Sequence, residues 1–254
     1  DNVEIKDSPL WLQNRLRSIG LKPVNNVVDI TNFVLKEYGQ PLHAFDADEI
    51  IGNEVIVKTL AKGTSFKCLD QKEIKLSEED LMICNQKEGM CIAGVFGGAT
   101  SGVKKTTKTI FLESAYFDSL SVRKTSTRHK LQTDAASRYE KGADPNLTIE
   151  ALKRAATMIC ELANGQIISD IQDFYPTKIE AFKVSLRYER LNTITGVEIP
   201  KTVVKQILQD LEIDVLNEKE DILELGVPQY RADVQREIDV IEEILRIYGF
   251  NNVA

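Results

Sequence analysis

Residues Thr109 to Phe117 read as one β-strand rich in β-branched and aromatic residues. Alternation along it puts Phe111, Glu113, Ala115 and Phe117 on one face and Ile110, Leu112, Ser114 and Tyr116 on the other. Both faces are largely apolar, so burial on both sides is expected, and the rest of the chain has to supply the cover. A carboxylate embedded there, Glu113, carries a large desolvation cost unless it meets a donor or a charge. The sequence leaves two roles open for it: a structural hydrogen bond or ion pair, or a functional carboxylate.

The chain is large enough for one big core or two smaller ones: 254 residues, 43% hydrophobic and 28% charged. Its first residue is Asp1 rather than Met, as in a piece of a longer polypeptide. Four cysteines (Cys68, Cys84, Cys91 and Cys160) form no CxxC pair and have no His-rich neighbourhood, so neither a zinc site nor a redox motif is indicated. A reducing cytoplasm is the expected location. No apolar run approaches the roughly 20 residues of a bilayer span, so no membrane contact is expected. The net charge of −7 argues against a dedicated nucleic-acid binder and confines any RNA contact to a local basic patch.

Polar residues and a proline around Asp173 to Lys178 separate two periodic regions, read as domains 1–175 and 176–254. In the first, helices are expected at Trp11 to Ile19, with Gly20 as C-cap, at Val27 to Leu35, and at Leu147 to Ala163. Strands are expected at Val55 to Val57, at Met90 to Val95 and at Thr109 to Phe117. In the second, helices are expected at Leu186 to Ile194, at Lys201 to Leu211 and at Val234 to Tyr248, with a strand at Ile222 to Leu225. The fold class is therefore α+β: a mixed α/β domain, then a small helix-turn-helix-like α/β domain.

His43 lies in a turn-like stretch, Gly39 to Asp46, after the polar pair Thr31 and Asn32. No Ser-His-Asp order or GxSxG elbow supports a covalent nucleophile. Gly94, Gly97 and Gly98 match neither GxGxxG nor a P-loop; tight turning, or close backbone approach to a ligand, is the use glycine permits. Arg123 to Lys130 is the strongest basic cluster, either a solvated face or a phosphate contact. Asp239, Glu242 and Glu243 share one side of a helix, with Asp233 as its potential N-cap. They read either as an acidic face balanced by Arg231, Arg236 and Arg246, or as ligands of a hard cation such as Mg²⁺.

Five strings carry a resemblance: Asn25 to Asn32 (NNVVDITN), Gln40 to Asp46 (QPLHAFD), Ala93 to Gly98 (AGVFGG), Leu112 to Phe117 (LESAYF) and Thr133 to Gly142 (TDAASRYEKG). In order and spacing they resemble the β-subunit editing domain of bacterial phenylalanyl-tRNA synthetases. Arg231 to Asp233, Glu237 to Ile244 and Tyr248 to Phe250 resemble the small domain that follows it.

The resemblance implies hydrolysis of tyrosine misattached to tRNA(Phe), while the complete α2β2 enzyme attaches phenylalanine. It implies that Glu113 recognises the phenol as an ionised acceptor, and that Thr31, Asn32 and His43 line the pocket near the ester. It also implies that Gly94, Gly97, Gly98 and Ala115 form the wall against which the amino acid lies. Mg²⁺ would be shared with the α subunit through Asp233, Asp239, Glu242 and Glu243, and bound weakly or not at all by this chain alone; ATP would bind only at the α-subunit site. Two rival classes remain at this stage: an RNA-binding or assembly module without hydrolytic activity, and a free-standing deacylase.

Overall fold

Helix α1, Leu10–Ser18, forms where the apolar spacing places it, burying Leu12 and Leu16 while Trp11 stays 48% exposed. Its C-cap is Ile19, one residue before the Gly20 read from sequence, and Gly20 follows in the left-handed region at φ 80°. A computed structural model describes residues 1–253. Helix α2, Asn26–Tyr38, starts where the Asn25 side chain accepts from the Val28 N–H and stops at Gly39, φ 73°. The next residues overturn the turn-like reading of His43: Leu42–Asp46 is strand β1. Polar His43 and Asp46 mask its apolar pattern.

Strands β2 (Ile56–Thr59), β3 (Ser65–Lys67), β4 (Glu73–Lys75), β5 (Leu81–Cys84), β6 (Gly89–Ile92) and β7 (Phe96–Gly97) follow. β2, β5, β6 and β7 form one antiparallel sheet in that order, and β3 pairs with β4. Strand β8, Ile110–Ser114, pairs antiparallel with β1 alone. Helices α3 (Ser119–His129), α4 (Asp134–Glu140) and α5 (Thr148–Ala163) complete this region.

The β1–β8 ribbon lies between two apolar clusters. Ala44, Leu42, Ile110 and Leu112 join the core built on α1, α2 and α5, whereas Phe45 joins Ile83, Met90, Cys91 and Ala93. Burial on both faces of β8 holds only in part, because a two-stranded ribbon leaves Phe111 41% exposed.

By compactness Asp1–Phe174 is one unit, and a second begins at Tyr175. In the second unit, β9 (Phe182–Arg187) occupies residues where a helix was expected to begin. Val184 and Leu186 alternate with exposed Lys183, Ser185 and Arg187, a period of two, so the helix α6 starts only at Tyr188 and runs to Thr195. Gly196 caps it at φ 72°.

Helix α7, Lys201–Asp210, buries Val204, Ile207 and Leu208. Strands β10 (Asp214–Lys219) and β11 (Ile222–Val227) make an antiparallel sheet in the order β10-β11-β9. The closing helix α8 is Glu237–Tyr248, so Asp233 is not its N-cap. Arg236 takes that place because the Asp239 carboxylate, three residues in, accepts the Arg236 N–H at 2.9 Å. Ala254, the end of the expected second domain, lies outside the described residues. Both units combine helices with antiparallel sheets, as an α+β fold class requires.

Candidate active site

The antiparallel register places His43 directly opposite Glu113 and Phe45 opposite Phe111. Paired residues share a face, so these four side chains project together from the ribbon. The His43 and Phe45 rings meet edge-on at 4.4 Å, and Phe45 lies 6.2 Å from Phe111. His43 Nε2 and Glu113 Oε2 are both buried without a hydrogen-bond partner. Most buried polar atoms are satisfied, so two orphans on residues paired at one register position mark this spot as chemically unusual.

Burial alone pushes the Glu113 carboxyl up to about 8 and the His43 imidazole down to about 4. Near pH 7 both groups are therefore predominantly neutral. This revises the expectation of an ionised acceptor at Glu113: among the described residues no cation stands beside it to hold the charge. A neutral carboxyl offers one O–H donor and one carbonyl acceptor, and a neutral imidazole offers one of each.

Gly97, on β7, lies against the imidazole: a Cβ there would sit 3.3 Å from His43 Cε1. At Gly98 a Cβ would fall 2.4 Å from the Met90 carbonyl oxygen, so that glycine secures close strand packing. Gly94, φ 68°, turns where a Cβ would meet Phe117, Tyr139 and Val122 at 2.8–3.1 Å. The Ala115 carbonyl accepts from Gln40 Nε2 at 2.7 Å and from the Tyr139 hydroxyl at 2.8 Å. Of the expected glycines, Gly97 alone touches His43; Gly94 packs toward Phe117, Tyr139 and Val122, Gly98 toward Met90 and Phe66, and Ala115 follows Glu113 by two residues.

Thr31 and Asn32 sit on α2. The Thr31 hydroxyl turns back to the Val28 carbonyl at 2.8 Å, and neither residue hydrogen-bonds to His43 or Glu113 among the described residues. Sequence reading passed over Gln40, Tyr139 and Cys91. Buried Cys91 pairs with Gly97 in the sheet, and its thiol is pushed well up by burial and then by the Glu113 charge. Gln40 and Tyr139 stood inside quoted strings, but nothing local showed that both converge on Ala115. A separate cavity of about 290 Å³, lined by residues including Leu81, Ala93, Phe117 and Val122, holds neither His43 nor Glu113.

The basic segment is helix α3, and it is not simply a solvated face. Arg128 and His129 turn inward to the fully buried Asp80, at 2.5 and 2.6 Å, and Thr125 adds a third bond at 3.1 Å. Burial by itself would raise the Asp80 carboxyl. The His129 bond, the Ser77 N–H and Thr125 outweigh it and hold the group below its ordinary range. Asp80→Ala leaves these donors unpaired and is expected to cost roughly 1–3 kcal/mol. The check is the urea midpoint at neutral pH.

In the second unit, Glu243 is held between Arg231 at 2.6 Å and Arg246 at 2.5 Å, Asp239 pairs with Arg236 at 2.8 Å, and Asp233 and Glu242 are exposed. Among the described residues no three His, Cys, Asp or Glu side chains converge as a metal site. No helix among them is long and apolar enough to cross a membrane.

Residues 1–164 match the family model described as the B3/4 domain, and residues 184–250 match the tRNA synthetase B5 domain. A phenylalanine–tRNA ligase beta subunit of Bacteroides thetaiotaomicron is 57% identical over 251 residues, covering 99% of this chain and 31% of that protein. Beta subunits of the same name from Porphyromonas gingivalis and Geobacter metallireducens are 49% and 41% identical, covering 99% and 98% of this chain and 31% of each relative. The chain thus spans about a third of the length of these relatives. An N-terminal fragment of the phenylalanyl-tRNA synthetase beta subunit of Pyrococcus horikoshii aligns over 97% of this chain and 70% of that one, at 14% identity and a TM-score of 0.44.

Proposed function

We propose, for a chain that belongs to the B3/4-domain family and continues into a tRNA synthetase B5 domain, that the His43–Glu113 pocket hydrolyses tyrosine esterified to tRNA(Phe). The observation that carries this reading is the pairing of two buried, unpartnered polar atoms, His43 Nε2 and Glu113 Oε2, across one position of an apolar ribbon. A site that accepts phenylalanine at the synthetic step rejects an added hydroxyl only weakly, whereas a site with a polar group awaiting that hydroxyl selects for it strongly. Glu113 supplies such a group at the pocket's apolar end.

The reaction is attack of water on the ester carbonyl. The carbon–oxygen bond to the ribose breaks, and the departing ribose oxygen takes up a proton. A His43 held near 4 is a weak base, so its part is to orient water or the ester by hydrogen bonding rather than to carry a full charge. The resemblance assigns Thr31 and Asn32, on α2, to the ester end and Gly94, Gly97, Gly98 and Ala115 to the wall against which the amino acid lies.

The larger assembly belongs to the same proposal. The chain works within a cytoplasmic α2β2 synthetase that binds tRNA(Phe) and uses ATP at the α subunit. Of Asp233, Asp239, Glu242 and Glu243, three are paired with arginines, Asp233 the most loosely at 3.6 Å, so this chain alone holds Mg²⁺ weakly or not at all. Any Mg²⁺ held there takes the rest of its shell from elsewhere in that enzyme.

The test is release of amino acid from Tyr-tRNA(Phe) and Phe-tRNA(Phe) by this chain. Faster release of tyrosine, by roughly 10-fold or more, is the expected result. Measurable RNA affinity with no release of either would replace this reading with an RNA-binding or assembly module.

A further inference from the structure

Gln40 is 1% exposed, yet its Oε1 has no hydrogen-bond partner. The orientation of its amide is not arbitrary. The nitrogen lies 2.7 Å from the Ala115 carbonyl and 3.0 Å from the Pro41 carbonyl, two atoms that can only accept. Flipping the amide would set oxygen against oxygen at both contacts, so Nε2 is fixed as the double donor and Oε1 is fixed as an unused acceptor pointing the other way. Tyr139 cannot satisfy it, because the tyrosine hydroxyl already donates to the same Ala115 carbonyl at 2.8 Å.

This amide is anchored next to the Glu113 strand position: Ala115, whose carbonyl holds Nε2, is two residues beyond Glu113, so alternation along the extended chain sets the two on the same side. The surroundings of Glu113 and of Gln40 also share Tyr139. Its hydroxyl is 3.5 Å from Gln40 Nε2, and its titration is raised by burial and by the Glu113 charge.

We propose that Gln40 is a second specificity-determining residue of this pocket, its Oε1 accepting the proton of a para hydroxyl on the bound aminoacyl side chain while Glu113 engages the oxygen of the same hydroxyl. The proposal rests on the ester-hydrolysis reading above. It follows from hydrogen-bond inventory: a phenol has one proton to give and an oxygen that accepts. Glu113 in its neutral form supplies the donor for that oxygen, and Gln40 supplies the acceptor for the proton. A phenylalanine side chain meets neither need and leaves both buried groups unpaired. Selection for the hydroxyl is then shared between β8 and the turn that leads into β1.

The experiment uses tRNA(Phe) carrying tyrosine, phenylalanine, 4-aminophenylalanine or O-methyltyrosine, with the wild-type chain and Gln40→Met. In the wild type, the 4-amino side chain keeps a donor proton and is hydrolysed close to the tyrosyl rate. The O-methyl side chain keeps the oxygen but not the proton and falls toward the phenylalanyl rate. Gln40→Met lowers kcat/KM for the tyrosyl ester by roughly 10- to 100-fold and for the phenylalanyl ester by much less, so the Tyr/Phe ratio shrinks.

A merely structural glutamine would lower both esters in parallel and leave the ratio unchanged; that result overturns the assignment. So does 4-aminophenylalanine behaving as phenylalanine in the wild type, a measurement that needs no variant to fold. Wild-type chain that releases neither tyrosine nor phenylalanine overturns the ester-hydrolysis reading and the assignment together. A preserved wild-type preference with an unchanged variant ratio overturns the assignment alone.

Discussion

Glu113→Ala is expected to cut hydrolysis of the tyrosyl ester and to shrink the Tyr/Phe preference by roughly 10- to 100-fold, with the fold intact. The carboxyl is opposite His43 in the register, and among the described residues its Oε2 has no partner and no cation neutralises it. In the wild type a phenol completes hydrogen bonding that a phenyl ring leaves undone, and the variant removes that difference. Folding survives because deletion of an unpaired buried carboxyl removes its desolvation cost and breaks no protein hydrogen bond at Oε2. The measurement is deacylation of both esters by wild type and variant, with circular dichroism for the fold. An unchanged ratio in a folded variant would reduce Glu113 to a structural carboxyl.

Glu113→Gln is expected to remove a pH dependence of stability that the wild type shows between about pH 6.5 and 8. The sign follows from the direction of the shift. Glu113 rises in the folded chain from its ordinary 4.5 to about 8. The folded state therefore holds a proton that the unfolded state has released. That contribution is full below the unfolded value and is lost as pH rises to the folded one, at about 1.4 kcal/mol per pH unit.

His43 acts oppositely: lowered from 6.5 to about 4, it removes stability as pH falls through that range. The two slopes oppose each other between about 4.5 and 6.5. Above 6.5 only the Glu113 slope remains, so the wild type weakens toward pH 8 while Glu113→Gln does not. Urea midpoints for both proteins at half-unit steps from pH 5.5 to 8.5 provide the check. Parallel curves would show that Glu113 is not held in the neutral form.

Most long elements were legible in the sequence because their period survives locally. Leu12 and Leu16 on α1, Val204, Ile207 and Leu208 on α7, and Val240, Ile241 and Ile244 on α8 lie at helical spacing and are buried. Strands near Val55 to Val57, Met90 to Val95 and Ile222 to Leu225 were legible too, as β2, β6 and β11, but others were not. β1 carries His43 and Asp46 among its five residues, and β10 is exposed along its whole length, so neither shows the alternation that marks a strand with one buried face. Leu186 fitted the spacing of a helix and of a strand equally well; pairing with Leu223 on β11 put it in the sheet.

At the candidate site, residue type and order along the chain were enough to put one carboxylate in an apolar strand, whereas the nearness of the glycines to it was implied only by the family resemblance. Sequence order also placed His43, Gln40 and Tyr139 inside strings that resemble the editing domain. It took the folded chain to set His43 opposite Glu113, to bring Gln40 and Tyr139 to the Ala115 carbonyl, and to turn Arg128 and His129 inward to Asp80. Those are contacts between residues 24 to 75 positions apart in sequence. The protonation of Glu113 was decided there too. A residue's charge in a protein depends on what surrounds it, and its surroundings come from strand pairing and layer packing that no local window contains.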